Sequence, residues 1–137
     1  MTITRKIAYA TAVVAATLAL GHAHAHHSYA AFDRCTPVTL EGEIDSVEWV
    51  NPHIRIRLRT QYVASYFVEW FSLAQLQQAG IAAETLEPGD RVVVTGNPMR
   101  DPNTKVLSLL TEIRRPSDGW SWMRTTPRQL PEGCATN

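Results

Sequence analysis

Apolar residues return at every second position through the middle of this chain, and a chain patterned in that way folds as strands. Ile54, Ile56 and Leu58 alternate with Arg55, Arg57 and Arg59. A period of two places each set on its own face of a sheet, one toward a core and one toward water. Val38, Leu40, Gly42 and Ile44 alternate with Thr39, Glu41, Glu43 and Asp45, and the pattern resumes on the other parity at Val47 and Trp49. That change of parity predicts a β-bulge near Asp45-Ser46. Gly42, inside the strand, permits a sharp bend. Asn51-Pro52 reads as a turn.

The remaining elements follow from the same reading. Residues 66–71 form a third strand, 91–95 a fourth carrying Val92, Val93 and Val94, and 105–114 a fifth with Leu107, Leu109 and Ile113 on one face. Pro88-Gly89-Asp90 and Asp101-Pro102-Asn103 are turns. Between the third and fourth strands, Ser72-Leu73-Ala74-Gln75 has capping-box spacing. A short helix should therefore start at Ser72 and stop at Gly80. The expected fold is all-β with one short helix, in the order β-β-β-α-β-β. That is the order of a small five-stranded OB-like Greek-key barrel. Another small all-β barrel and an open α+β sheet are the alternatives.

The start of the chain reads as a leader. Arg5 and Lys6 precede an uncharged apolar run, residues 7–20, and Ala23-His24-Ala25 offers small residues at both positions that a signal peptidase requires. The run is shorter than the roughly 20 residues that a membrane-spanning helix needs. Residues 1–25 are thus expected to be a signal peptide, with cleavage after Ala25 preferred to cleavage after Ala23. No transmembrane anchor should remain, and the mature protein should be periplasmic or secreted. Removing Arg5 and Lys6 from a chain with thirteen basic and thirteen acidic residues leaves a mildly acidic protein. Phosphate-backbone binding leaves a basic footprint, so nucleic acid is not an expected partner.

Residues 26–37 then form a polar and aromatic arm, 38–115 the barrel, and 116–137 a tail containing three prolines, Trp120 and Trp122. The chain has two cysteines, Cys35 in the arm and Cys134 in the tail. An even count in an oxidising compartment favours one disulfide over two unrelated thiols. Such a bridge would bring the tail onto the barrel.

The arm and the first strand resemble a known family. HHSYAAFD, the strand PVTLEGEIDSVEW, the junction Val50-Asn51-Pro52-His53 and the later LEPGDRVVVTG are similar to the pattern of exported bacterial proteins catalogued as domain of unknown function 6152. The resemblance covers most of residues 26–113. It implies export and a small β-barrel, and carries no activity. The tail lies outside these motifs.

Three chemistries are candidates. With cleavage after Ala25, His26 becomes the N-terminus, and its α-amino group and imidazole can chelate one metal ion. His27 would add a nitrogen and His53 would complete the site. Nitrogen ligands of this kind suit copper, and zinc less well. An arm of twelve residues spans at most roughly 40 Å, so it reaches His53 only by running back along the barrel. Second, Arg55, Arg57 and Arg59 share a face and would either bind an anionic ligand or pair with Glu41, Glu43, Glu48 and Glu69. Trp120 and Trp122, expected to be the better exposed tryptophans, could stack on a planar ligand or glycan. Trp49 and Trp70 are expected in the core. Third, the barrel could serve as an accessory to an envelope protein without a small ligand. The chain contains no Gly-rich phosphate loop, no G-x-S-x-G and no H-E-x-x-H, so a binding module is expected, not an enzyme.

Overall fold

The structure, a computed structural model, describes residues 29–63 and 65–134. Among the described residues there are six strands: β1 (Val38–Glu48), β2 (Arg55–Thr60), β3 (Tyr66–Glu69), β4 (Arg91–Pro98), β5 (Val106–Arg115) and β6 (Trp120–Met123). An α-helix, α1 (Leu73–Gln78), lies between β3 and β4. The sheet runs β3-β2-β1-β4-β5-β6, and a parallel pairing of β3 with β5 closes the first five strands into a barrel. Those five strands and the helix follow the OB order expected from the sequence.

The alternating residues do what their period requires. Ile56 and Leu58 are fully buried while Arg55, Arg57 and Arg59 face outward. β1 is long enough to pair with β2 along one half and with β4 along the other. Its register on β2 shifts between Ile44 and Ser46, which is the bulge that the change of parity predicts. Gly42 is needed for close approach: a Cβ there would lie 2.4 Å from the carbonyl oxygen of Arg59. The core is a cluster of Ile, Leu and Val side chains from β1, β2, β4 and β5, joined by Leu76 of α1 and by Trp70. Each such side chain contributes roughly 1.5–3 kcal/mol by leaving water.

The capping box forms as expected. Ser72 Oγ accepts from the Gln75 backbone N–H, and Gln75 Oε1 accepts from the Ser72 N–H at 3.1 Å. Gly80, at φ +75°, follows the helix in the left-handed conformation that ends it.

Two features differ from expectation. Leu109 does not share the core face with Leu107 and Ile113; Leu110 does. β5 carries extra residues opposite Gly96, where its register on β4 shifts, and Leu109 sits there at φ +53°. For a leucine that conformation is strained, and it persists only where the surroundings impose it. The bulge folds tightly over Gly96, whose absent Cβ would stand 2.7 Å from both Leu110 Cδ2 and the Ser108 carbonyl oxygen.

The second difference lies in the tail. Trp120–Met123 form a sixth strand, antiparallel to β5, where the sequence reading places irregular chain. The turn before it is pinned by Arg115. Its Nη2 donates to Asp118 at 2.8 Å and its Nη1 to Asp90 at 2.7 Å. Asp118 also accepts from the Trp120 N–H at 3.0 Å.

The fold yields two expectations. Gly96→Ala should destabilise the protein by about 1–3 kcal/mol, because backbone and core atoms would have to move; urea unfolding measures it. The Arg115 hydrogen bonds hold the Asp118 carboxyl below its ordinary value of 3.8. A lowered folded-state value stabilises the protein above the unfolded-state value, and that gain fades as pH falls through the folded one. Asp118→Asn should therefore lower the melting temperature slightly at neutral pH, with the difference from the parent protein shrinking in acid. Melting curves of both proteins between neutral pH and strong acid check this.

Candidate functional site: a cationic cavity between arm and tail

The arm returns along the barrel and fastens to the end of β4. Phe32 bridges to Met99, and the Asp33 N–H donates to the Pro98 carbonyl at 2.8 Å. The arm then turns: Asp33 Oδ1 accepts from the N–H groups of Cys35 and Thr36. The Cys35 N–H is the main cause that holds the Asp33 carboxyl below its usual value. The tail leaves β6 and crosses the arm. Arg128 donates through Nη2 to the Arg34 carbonyl and through Nη1 to Asn97 Oδ1, while Asn97 Nδ2 donates to the Asp33 carbonyl. Arg34 Nη2 donates to the Gln129 carbonyl at 3.3 Å. The Cys35–Cys134 disulfide closes the crossing, with Cα atoms 5.2 Å apart. A bridge between residues so distant in sequence contributes about 4–5 kcal/mol in the chain-entropy model.

Arm, tail and barrel together enclose a cavity of about 460 Å³, within the range of small-molecule sites. The arm supplies Tyr29, Phe32 and Arg34, and the tail Arg124 and Arg128. The barrel supplies Pro52 and His53 from the β1–β2 connection, and Glu69, Trp70 and Phe71 from the end of β3. The bulge of β5 adds Ser108, Leu109 and Leu110, so the irregularity in that strand is what turns Leu109 toward the cavity.

The charge on this wall is unbalanced. Arg34, Arg124 and Arg128 form no ion pair among the described residues, and neither does Glu69, the one carboxylate of the lining. Nε of each of these three arginines and Nε1 of Trp70 are buried without a hydrogen-bond partner. Burial, together with the positive charges of Arg34 and Arg124, pushes the Arg128 guanidinium below its ordinary value. Arg124 differs from its neighbours in making no side-chain hydrogen bond among those found; its guanidinium rests over the Phe71 ring at 5.3 Å. Trp70 and Phe71 are braced from behind by Trp122, edge-to-face at 5.3 and 5.4 Å.

The residues singled out in the sequence are distributed differently. His53 stands on the cavity wall, where Nδ1 lies 3.1 Å from the Trp70 carbonyl oxygen. A carbonyl only accepts, so Nδ1 carries the ring proton and donates. His26 and His27 lie outside the described residues. Among the described residues no three His, Cys, Asp or Glu side chains gather to hold a metal. Arg55, Arg57 and Arg59 do share one exposed face, and each has a partner there. Arg55 pairs with Glu48 at 2.9 Å, Arg59 with Glu43 and Asp45 at 2.7 and 3.2 Å, and Arg57 lies over Phe67 at 5.5 Å. Trp120 and Trp122, expected to be exposed, are half-buried against the core, with Trp120 lying under Arg115. Trp49 and Trp70 pack in or against the core, as expected.

No periodicity in the sequence marks Arg34, Arg124 or Arg128. Arg124 is held at the end of β6, where its N–H donates to the Thr111 carbonyl at 2.9 Å, and Arg34 and Arg128 join it where the arm and the tail cross at Asn97 and the disulfide.

Fold and site together define a small OB-type barrel with an arginine-lined, aromatic-walled cavity. The chain belongs to a family of unknown function, DUF6152, whose model matches residues 13–108. No curated protein matches it. The matched stretch ends before Arg124 and Arg128, so two of the three cavity arginines lie beyond it.

The joint at Asn97 can be tested directly. Asn97→Ala would leave the half-buried Asp33 carbonyl and an Arg128 N–H without their Asn97 partners, a loss of about 1–3 kcal/mol. Urea unfolding should show that loss, and limited proteolysis should show an arm and tail cut faster than in the parent protein.

Proposed function

We propose that this protein is an exported, non-catalytic binding module that captures a small anionic ligand in the cavity between its arm and tail. Residues 1–25 serve as the signal peptide, and the mature protein works in the periplasm or outside the cell. The disulfide is in keeping with an oxidising compartment.

The observation that carries this reading is Arg124. Its guanidinium lies on the cavity wall over the Phe71 ring, its Nε is buried without a hydrogen-bond partner, and no carboxylate pairs with it among the described residues. A polar group taken out of water without a partner is costly, and an anion in the cavity would supply one. Arg34 and Arg128 strengthen the positive potential, and their own hydrogen bonds hold the wall in shape. These observations favour Arg34, Arg124 and Arg128 as the anion-binding group over the outer face with Arg55, Arg57 and Arg59, whose side chains already have partners.

A second reading is a copper site, or less readily a zinc site, formed by His26, His27 and His53. The observation in its favour is the position of His53 on the same wall. With Nδ1 donating to Trp70, Nε2 would be the ligating nitrogen.

Calorimetric titration of the purified protein with a panel of small carboxylates, phosphates and sulfates tests the anionic reading. At least one should bind, and Arg124→Gln should weaken it about tenfold or more, the loss of one buried charge-assisted contact. Arg57→Gln should leave it unchanged. Binding by no member of the panel, or equal binding by Arg124→Gln, overturns the reading. Stoichiometric copper uptake that is indifferent to Arg124→Gln and lost in His53→Ala would establish the metal site instead.

A further inference from the structure

The body of the ligand, as well as its charge, is written on the cavity wall. Resting on the anionic reading above, we infer that the cavity takes an aromatic monocarboxylate: a flat apolar ring system carrying one carboxylate.

Three observations converge on that class. First, the surface around the arginines is largely apolar, lined by Phe32, Trp70, Phe71 and Leu109. A sugar acid would present hydroxyls on every side, and each hydroxyl pressed against these rings would lose its hydrogen bonds to water without replacement. A flat ring loses nothing there and gains stacking contact.

Second, the cationic group is shaped for a planar acceptor. The guanidinium of Arg124 already lies over Phe71 at 5.3 Å, so it is held at the wall before a ligand arrives. A guanidinium presents a planar fork of N–H donors, which matches a carboxylate in two parallel hydrogen bonds. Both Nη atoms of Arg128 already donate within the protein, and one Nη of Arg34 does. Arg124 alone of the three makes no side-chain hydrogen bond among the described residues, so both of its Nη groups remain to meet one carboxylate.

Third, Glu69 shares the cavity and is not neutralised by an ion pair among the described residues. Its carboxylate opposes a second or third negative charge, which disfavours citrate-like acids and phosphate esters. A single charge keeps that repulsion smallest.

The test uses the full chain, purified with its disulfide formed, and four probes: 1-naphthoate, the uncharged 1-naphthamide, acetate and inorganic phosphate. Calorimetry gives the affinities, and quenching of tryptophan emission reports contact with the Trp70 region. 1-Naphthoate should bind at least about tenfold more tightly than 1-naphthamide or acetate, since charge and ring are both required. Arg124→Gln should erase the preference for naphthoate over naphthamide while leaving naphthamide affinity in place. Arg124→Lys, which keeps the charge without the planar fork, should fall between. If that site alters folding, Arg34→Gln, weakening the same potential, should reduce the preference in the same direction.

Binding of phosphate in preference to 1-naphthoate would overturn the aromatic monocarboxylate and leave the anionic cavity standing. Equal binding of naphthoate and naphthamide would overturn both, because the charge would then do nothing. Binding by none of the four probes, alongside a positive result from the wider anion panel, would again remove only the aromatic class.

Discussion

Asn97 is the one wholly buried polar side chain among the described residues, and the crossing of arm and tail is built around it. Its amide faces both ways at once, donating to the arm at Asp33 and accepting from the tail at Arg128. A buried amide left with one half unpaired is costly, so the two partners are held together or not at all. The end of β4 thereby fixes where arm and tail cross. The crossing fixes where Arg34 and Arg128 stand, and these two, with Arg124, define the positive wall.

The barrel was legible because its signals are local and repeated. Alternation at Ile54, Ile56 and Leu58 marks an outward and an inward face, the change of parity after Asp45 marks a bulge, and Ser72 with Gln75 marks a helix start. Each depends on residues a few positions apart. The order of elements then restricts the closed arrangements available to a sheet of five strands.

What escaped the reading depends on partners far away in sequence, or on weaker local cues. β6 did have a cue: Asp118-Gly119 followed by the alternating Trp120, Ser121, Trp122 and Met123 resembles a hairpin turn and strand. The prolines and paired tryptophans drew attention to a tail instead. Leu109 was misplaced because a strict period of two cannot anticipate extra residues opposite Gly96. For the candidate site, His53 was legible and the arginines were not. Arg55, Arg57 and Arg59 stood out because they are regular, yet regular spacing on an exposed strand is what cross-strand ion pairing produces. Arg34, Arg124 and Arg128 occupy irregular segments, and their common position follows from the bridge between Cys35 and Cys134.

That bridge also sets an order of events. A chain is delivered from its N-terminus, and the five barrel strands are all available once Arg115 has emerged. The cavity at that stage still lacks Arg124, Arg128 and the second cysteine. The cavity is therefore the last part of the molecule to be completed. A barrel that has folded but not yet oxidised holds its arm and tail by hydrogen bonds alone, at Asn97, Arg34 and Arg128 and along the end of β4, so the disulfide is the step that makes their crossing permanent.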